Sequence, residues 1–396
     1  MPTISQVRDV TDVAPTDGEP TLDEEERRTS YLELFFDLVF VFAFTQVTSL
    51  ILEDTSAAGF ARAALVLAMV WWAWSAYAWM TNAVDVDNVV TRLIVLGAMA
   101  AAFFMALAVP DAYQDEGGWF AVAYFTARIL NTTLFSWGVR DDLVQLRATL
   151  RLAPWFLAAA VVALAGGFLD GDGRAYVWAA SLAIDVIGTL TVAGTNWRVS
   201  PSHFAERYAL IVIIALGESI VAIALGTSEL DRDLVFALSV IVAFAGVAAL
   251  WWAYFDFIST AVERALRRAT PAARGALARD VFTFFHYPIV LGIVLYAVAA
   301  KKTLAQPSEP LSEAGRWALG LGMAVFLTGF VLVRVRAIRR IAWERVIAGA
   351  AALVAAVALD GTDAIVTLSA AIAILVVAVA VETVRLREIR AEVKCG

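Results

Sequence analysis

Residues 203–226 read HFAERYALIVIIALGESIVAIALG. From Tyr208 to Leu216 nothing is charged, and the run shows none of the alternation that marks a strand. Its length matches the roughly 20 residues a helix needs to cross about 30 Å of hydrocarbon. Glu218, a carboxylate, nevertheless stands well inside it, between Gly217 and Ser219. Eleven further blocks of this kind lie at about 31–52, 59–81, 89–110, 118–138, 150–169, 174–194, 233–256, 279–300, 316–334, 343–360 and 364–384. Backbone groups in lipid must be satisfied within the segment, so the blocks are expected to be helices.

Composition agrees. The chain is 61% hydrophobic and 17% charged, with a mean hydropathy of +0.75, whereas soluble domains are about 45–50% apolar and about a quarter charged. The expected fold is an all-α polytopic membrane bundle of about twelve transmembrane helices, with the lipid bilayer as its main partner. Residues 1–30 read as a disordered acidic tail and 385–396 as a short basic one. Of the 30 Lys and Arg residues, 23 fall on the side that would hold both termini, including the clusters Arg264, Arg267, Arg268, Arg274, Arg279 and Arg334, Arg336, Arg339, Arg340, Arg345. Six fall opposite: Arg62, Arg174, Arg232, Lys301, Lys302 and Arg316. That asymmetry predicts cytoplasmic termini, and 27 arginines against 3 lysines point to a bacterium, whose inner membrane is the expected location.

Two six-helix halves, 31–194 and 195–384, are expected as a parallel repeat. Trp71-Trp72-Ala-Trp74 in the second span answers to Trp251-Trp252-Ala-Tyr254 in the eighth, and Trp119 and Trp317 open the fourth and tenth. Aromatic belts at the interface would give similar coincidences.

The chemistry rests on ionisable residues within the spans, because a charge at mid-membrane costs about 2.5–3.5 kcal/mol on insertion scales and marks function or pairing. At about 1.5 Å per residue, Arg128 and Asp185 both lie roughly 15 Å deep in helices running the same way, so they can pair. Tyr124, Asn131 and Thr132 extend Arg128's face, and Ser181, Thr189 and Asn196 extend that of Asp185. Glu33 and Asp37 sit one turn apart early in the first span, and Arg207 shares a face with Glu218 in the seventh. Glu33, Asp37, Arg128, Asp185, Arg207 and Glu218 are therefore the candidate pathway for an ion or solute. Structural salt bridges holding helices together are the competing explanation.

Other signals exclude more than they propose. No phosphate loop, nucleotide fingerprint or nucleophile elbow appears, so neither an enzyme nor an ATP-driven pump is expected. Cys395 is the sole cysteine, and no cofactor, bound metal or nucleic-acid partner is expected; self-association stays open. His203 and Glu206 read as capping or interface residues, and His286 near Pro288 as a packed histidine.

The stretch Glu33-Leu-Phe-Phe-Asp-Leu-Val-Phe-Val-Phe-Ala-Phe-Thr-Gln46, together with His203 to Ile220, resembles the bacterial low-temperature-requirement A (LtrA) family. The resemblance implies a multi-spanning membrane protein of a family named for a cold-growth phenotype. Glu33, Asp37, His203, Glu206, Arg207, Gly217, Glu218 and Ser219 fall on its motif positions, which assigns them no roles. Six plus six helices is also similar in layout to otopetrin-type proton channels, a likeness of architecture alone. A channel or secondary transporter is thus expected, and a non-transporting protein supporting the envelope or its lipids in the cold is the alternative.

Overall fold

The computed structural model describes residues 29–86, 88–192, 197–227, 232–256 and 258–385. Most of the acidic tail, Asn196, Cys395 and the basic tail beyond Arg385 lie outside the described residues. Helices account for nearly everything described. The first six are α1 (Tyr31–Glu53), α2 (Ala57–Ala83), α3 (Val89–Leu107), α4 (Gly117–Gly138), α5 (Leu143–Gly166) and α6 (Gly171–Thr191). Next come α7 (Pro201–Gly226), α8 (Leu234–Phe255), α9 (Ile258–Arg268) and α10 (Pro271–Ala278). A π-helical turn (Arg279–Phe284) leads into α11 (His286–Ala305), followed by α12 (Glu313–Ile338), α13 (Trp343–Ala358) and α14 (Ala364–Arg385).

Among the described residues, nine helical runs are long and apolar enough to cross a bilayer. The remaining three of the twelve expected blocks are α4 and α6, which house Arg128 and Asp185, and α13, which has only 16 residues. The chain is thus a multi-pass membrane protein. The ninth block starts earlier than the sequence indicates, at Pro271, and it is not uniform. Pro288 has no N–H for the carbonyl of Phe284, and the π turn widens the helix there, with the Phe285 amide bonding back to the Asp280 carbonyl. Hydropathy also overlooks α9, an amphipathic helix that buries only Ile258, Val262 and Leu266.

Successive spans alternate in direction. One face gathers the start of α1, the end of α2 and the start of α7, where Asn82 and Glu33 both meet His203. The opposite face ties Arg62 of α2 to Asp172 of α6 at 2.6 Å and Arg174 to the carbonyls of Ala112 and Gln114. In the turn between α1 and α2, the hydroxyl and amide of Ser56 hold the Asp54 carboxyl below its ordinary range.

Most spans are apolar all round, as membrane helices are. Leu93, Phe104, Val161, Phe244 and Val354 point outward, while α11 is buried almost throughout and packs against α1, α7 and α12. The tryptophan pairs that match in sequence differ in setting: Trp71 and Trp72 are buried, whereas Trp251 and Trp252 are 45% and 54% exposed; Trp74 and its counterpart Tyr254 are both buried.

Small residues set the helix separations. A Cβ on Gly292 of α11 would lie 2.6 Å from the Gly322 carbonyl oxygen of α12. One on Gly246 of α8 would lie 2.0 Å from the Tyr296 hydroxyl, which donates to the Ala243 carbonyl at 2.6 Å. Gly292→Ala and Gly246→Ala are therefore expected to lower the melting temperature, at a cost of about 1–3 kcal/mol each. Gly217→Ala, whose new Cβ meets nothing within 4 Å, is expected to leave it unchanged or higher. Thermal unfolding of the three purified variants checks this.

Candidate functional site

Two of the candidate carboxylates lie at the interface of α1 and α7, which run side by side from the same face. Ser30 caps α1 in a reciprocal box with Glu33, and this fixes the carboxylate so that its other oxygen meets His203 Nε2 at 3.0 Å. The Asn82 side-chain oxygen accepts from the Ser200 amide, so its NH₂ faces His203 Nδ1 at 3.2 Å. This pattern fits the tautomer with the proton on Nε2, directed at Glu33. One turn deeper, Arg207 Nη1 donates to Asp37 at 2.9 Å, and the Trp74 indole N–H donates to the other Asp37 oxygen at 2.8 Å. Both rungs follow from one spacing: Glu33 and Asp37 are i, i+4 on α1, and His203 and Arg207 are i, i+4 on α7.

A third rung lies further along. The Thr45 hydroxyl donates to Glu218, which is buried beside the unpartnered Ser219 hydroxyl. Phe40, Phe44, Ile211 and Ala215, all buried, separate it from Asp37 and Arg207. Arg207 therefore serves Asp37, and the face it shares with Glu218 on α7 does not bring those two together.

Helix α2 carries polarity sideways. Ser75 bonds Tyr208 at 2.7 Å, and both reach the Thr283 hydroxyl in the π turn at 3.3 Å. The indole N–H groups of Trp79 and Trp71 donate to the Thr283 hydroxyl and carbonyl. The widened turn is thus clamped by α2. His286 is held between the Val281 carbonyl and the Tyr254 hydroxyl, as a packed core histidine.

Arg128 and Asp185 form the expected ion pair between α4 and α6 at 2.5 Å, with Asp185 0% exposed. The guanidinium also lies over the ring of Phe156, 4.8 Å from its centroid. The pair is incompletely satisfied: Arg128 Nε and Nη1, Asp185 Oδ2, the Tyr124 hydroxyl and Asn131 Nδ2 are buried without a hydrogen-bond partner. Such groups cost roughly 1–3 kcal/mol each when left unmade.

One helical turn from this pair a cleft of about 80 Å³ opens, lined by Trp72, Trp79, Asn131, Phe156, Trp197 and Arg279 among others. It reaches Asn131 on α4 and Thr189 on α6, the next polar positions after Arg128 and Asp185. Neither Glu218 nor the α1–α7 rungs border it. Among the described residues no group of His, Cys, Asp and Glu is arranged to hold a metal ion.

The six candidates thus fall into an α1–α7 ladder and a separate α4–α6 bridge. His203, read from sequence as a capping or interface residue, lies at the α1–α7 interface as the hydrogen-bond partner of Glu33; its spacing to Arg207, equal to that of Glu33 to Asp37, was the available signal for that contact. Glu206, by contrast, does help the entry to α1, accepting the Thr29 amide at 2.9 Å. A further cluster lies in the second half. Arg334 and Arg345, counted from sequence only among the basic residues on the side of the termini, are buried against Glu382, with Arg334 also on Glu344 at 2.8 Å. Asp185→Asn is expected to cost about 3–5 kcal/mol by stranding the Arg128 charge. The double change Arg128→Leu with Asp185→Leu is expected to cost less than that single change, in unfolding assays of the reconstituted protein.

Comparison with known proteins agrees with this architecture. The family model for the bacterial low temperature requirement A protein matches residues 28–381. An uncharacterized protein of Rhizobium meliloti (strain 1021) is 31% identical over 300 residues, covering 72% of each chain. The matched span includes both ladder helices and the α4–α6 pair, so the chain belongs to the bacterial low-temperature-requirement A family.

Proposed function

We propose that the protein is a non-enzymatic channel or secondary transporter for protons, small ions or small solutes. In this reading Asp37, Asp185 and Glu218 are protonatable or coordinating groups, and Arg128 is the counter-ion. The carrying observation is the half-satisfied Arg128–Asp185 pair beside an open cleft. Intramembrane charges that face protein and retain unused hydrogen-bonding capacity are what a permeating or exchanging species requires.

The proposal places the protein in the bacterial inner membrane with both termini cytoplasmic. Support comes from how the arginines are used. Arg62, Arg174 and Arg316, on the opposite face, are each tied to carboxylates or carbonyls. On the face where α1 begins, Arg268, Arg339 and Arg340 are exposed, as cytoplasmic topology signals are.

A second reading, a non-transporting protein supporting the envelope or its lipids, is favoured by one observation: the apolar layer of Phe40, Phe44, Ile211 and Ala215 interrupts the ladder. Flux separates the two. Purified protein in liposomes, screened over protons, monovalent cations and anions, is expected to show transport above empty liposomes. Glu218→Gln is expected to reduce it several-fold, because its partner Thr45 is neutral and the fold tolerates the change. Absence of flux, or flux indifferent to both Glu218→Gln and Asp185→Asn in folded protein, would sink the assignment.

A further inference from the structure

The cleft between α2, α4, α5, α10 and the π turn has a definite chemical character. Its walls are the rings of Trp72, Trp79, Phe135, Phe156 and Trp197. Aromatic walls alone would suit a cation, so the polar groups decide the sign.

Those groups are donors. Asn131 is 3% exposed, lines the cleft, and its NH₂ has no partner. Arg279 lines it too, with Nη1 on the Thr189 carbonyl at 3.3 Å and Nε and Nη2 on one oxygen of Asp280, whose other oxygen takes Arg336 at 2.7 Å. Two guanidinium groups on one carboxylate leave an excess positive charge at the rim. The hydroxyls are already committed, Ser75 and Thr283 to each other and Tyr208, and Thr189 to the Asp185 carbonyl. Behind Asn131, Arg128 stacks on the cleft-lining Phe156 with two of its nitrogens unpartnered. No carboxylate is among the lining residues.

We infer that this cleft binds a small organic carboxylate, its apolar body between the tryptophan and phenylalanine rings and its charge on Asn131 and Arg279. A strongly hydrated inorganic anion would lose its water to apolar walls without compensation. A closed apolar cavity of about 150 Å³ admits benzene; this one holds about 80 Å³ but is open on one side, so a ring or short chain enters with one end exposed. Gly275 lets α10 lie close against the wall residue Trp197, since a Cβ there would come within 3.1 Å of it. The inference goes beyond the transport proposal, because binding at this cleft requires no flux.

The test is equilibrium binding to the full chain in lipid nanodiscs, followed by tryptophan fluorescence and saturation-transfer NMR, with benzoate as the probe. Benzyl alcohol and benzyltrimethylammonium present the same ring with no charge and with the opposite charge. Benzoate is expected to bind saturably and at least about tenfold more tightly than either, a difference of about 1.4 kcal/mol. Asn131→Leu and Arg279→Gln, checked for unchanged melting, are each expected to weaken it by a similar factor, and Trp197→Phe to diminish the fluorescence change. Should a variant fail to fold, ligand selectivity of the parent protein and the Trp197→Phe response decide alone. Absence of saturable benzoate binding, preference for the ammonium, displacement by equimolar chloride, or full affinity in both folded variants would overturn the inference.

Discussion

A charge inside hydrocarbon must be met by another group, and this requirement governs how the bundle is put together. The meeting of Asp37 with Arg207 is its clearest expression. Arg207 is 0% exposed and lies against the Trp74 ring, so neither partner can turn to water for relief. Their pairing brings α1 against α7 and draws α2 in through the Trp74 N–H. From α2 the hydroxyl cluster reaches the π turn, and the π turn hands the chain to α11, the most enclosed helix of the molecule. One ion pair thus underlies the contact of five helical segments.

The other charged clusters meet the requirement to different degrees. At Glu382 both carboxylate oxygens are taken by Arg334 and Arg345, and Arg345 also bonds the Ala253 carbonyl and lies over Phe330. That arrangement ties the ends of α8, α12, α13 and α14 together with little acceptor capacity to spare. At Arg128–Asp185 a single hydrogen bond joins groups that retain several unused donors and an acceptor. Spare donors occur in all three clusters, since Arg207 Nε and Nη2 and Arg345 Nη1 also lack partners; what sets the α4–α6 pair apart is a carboxylate oxygen without a partner and an open cleft one turn away.

Much of this was legible in the sequence, and for identifiable reasons. Blocks of apolar residues marked the spans because nothing but helices can satisfy a backbone in lipid. The Arg128–Asp185 pair followed from depth counting, since two helices running the same way put equal counts at equal heights. The partner of Glu218 was not legible: Thr45 is a neutral residue in an apolar run and carries no electrostatic signal. Helix α9 escaped because it buries three residues on one stripe, which a search for apolar blocks passes over. The π turn was foreshadowed by Pro288, yet the register it imposes, with Thr283 under Trp71 and Trp79, depends on side chains more than 200 positions away.

That distance along the chain also bears on how the protein is made. Glu33 and Asp37 wait for His203 and Arg207, which are synthesised 170 residues later, whereas Arg128 meets Asp185 after 57. Helix α1 therefore reaches the membrane before the partners of its two acids exist. Its two acids lie in the first two turns, close enough to the surface to stay hydrated until α7 arrives. The α4–α6 pair has both its members long before the α1–α7 rungs do, so these ion pairs become possible in a different order from that in which their first residues are made.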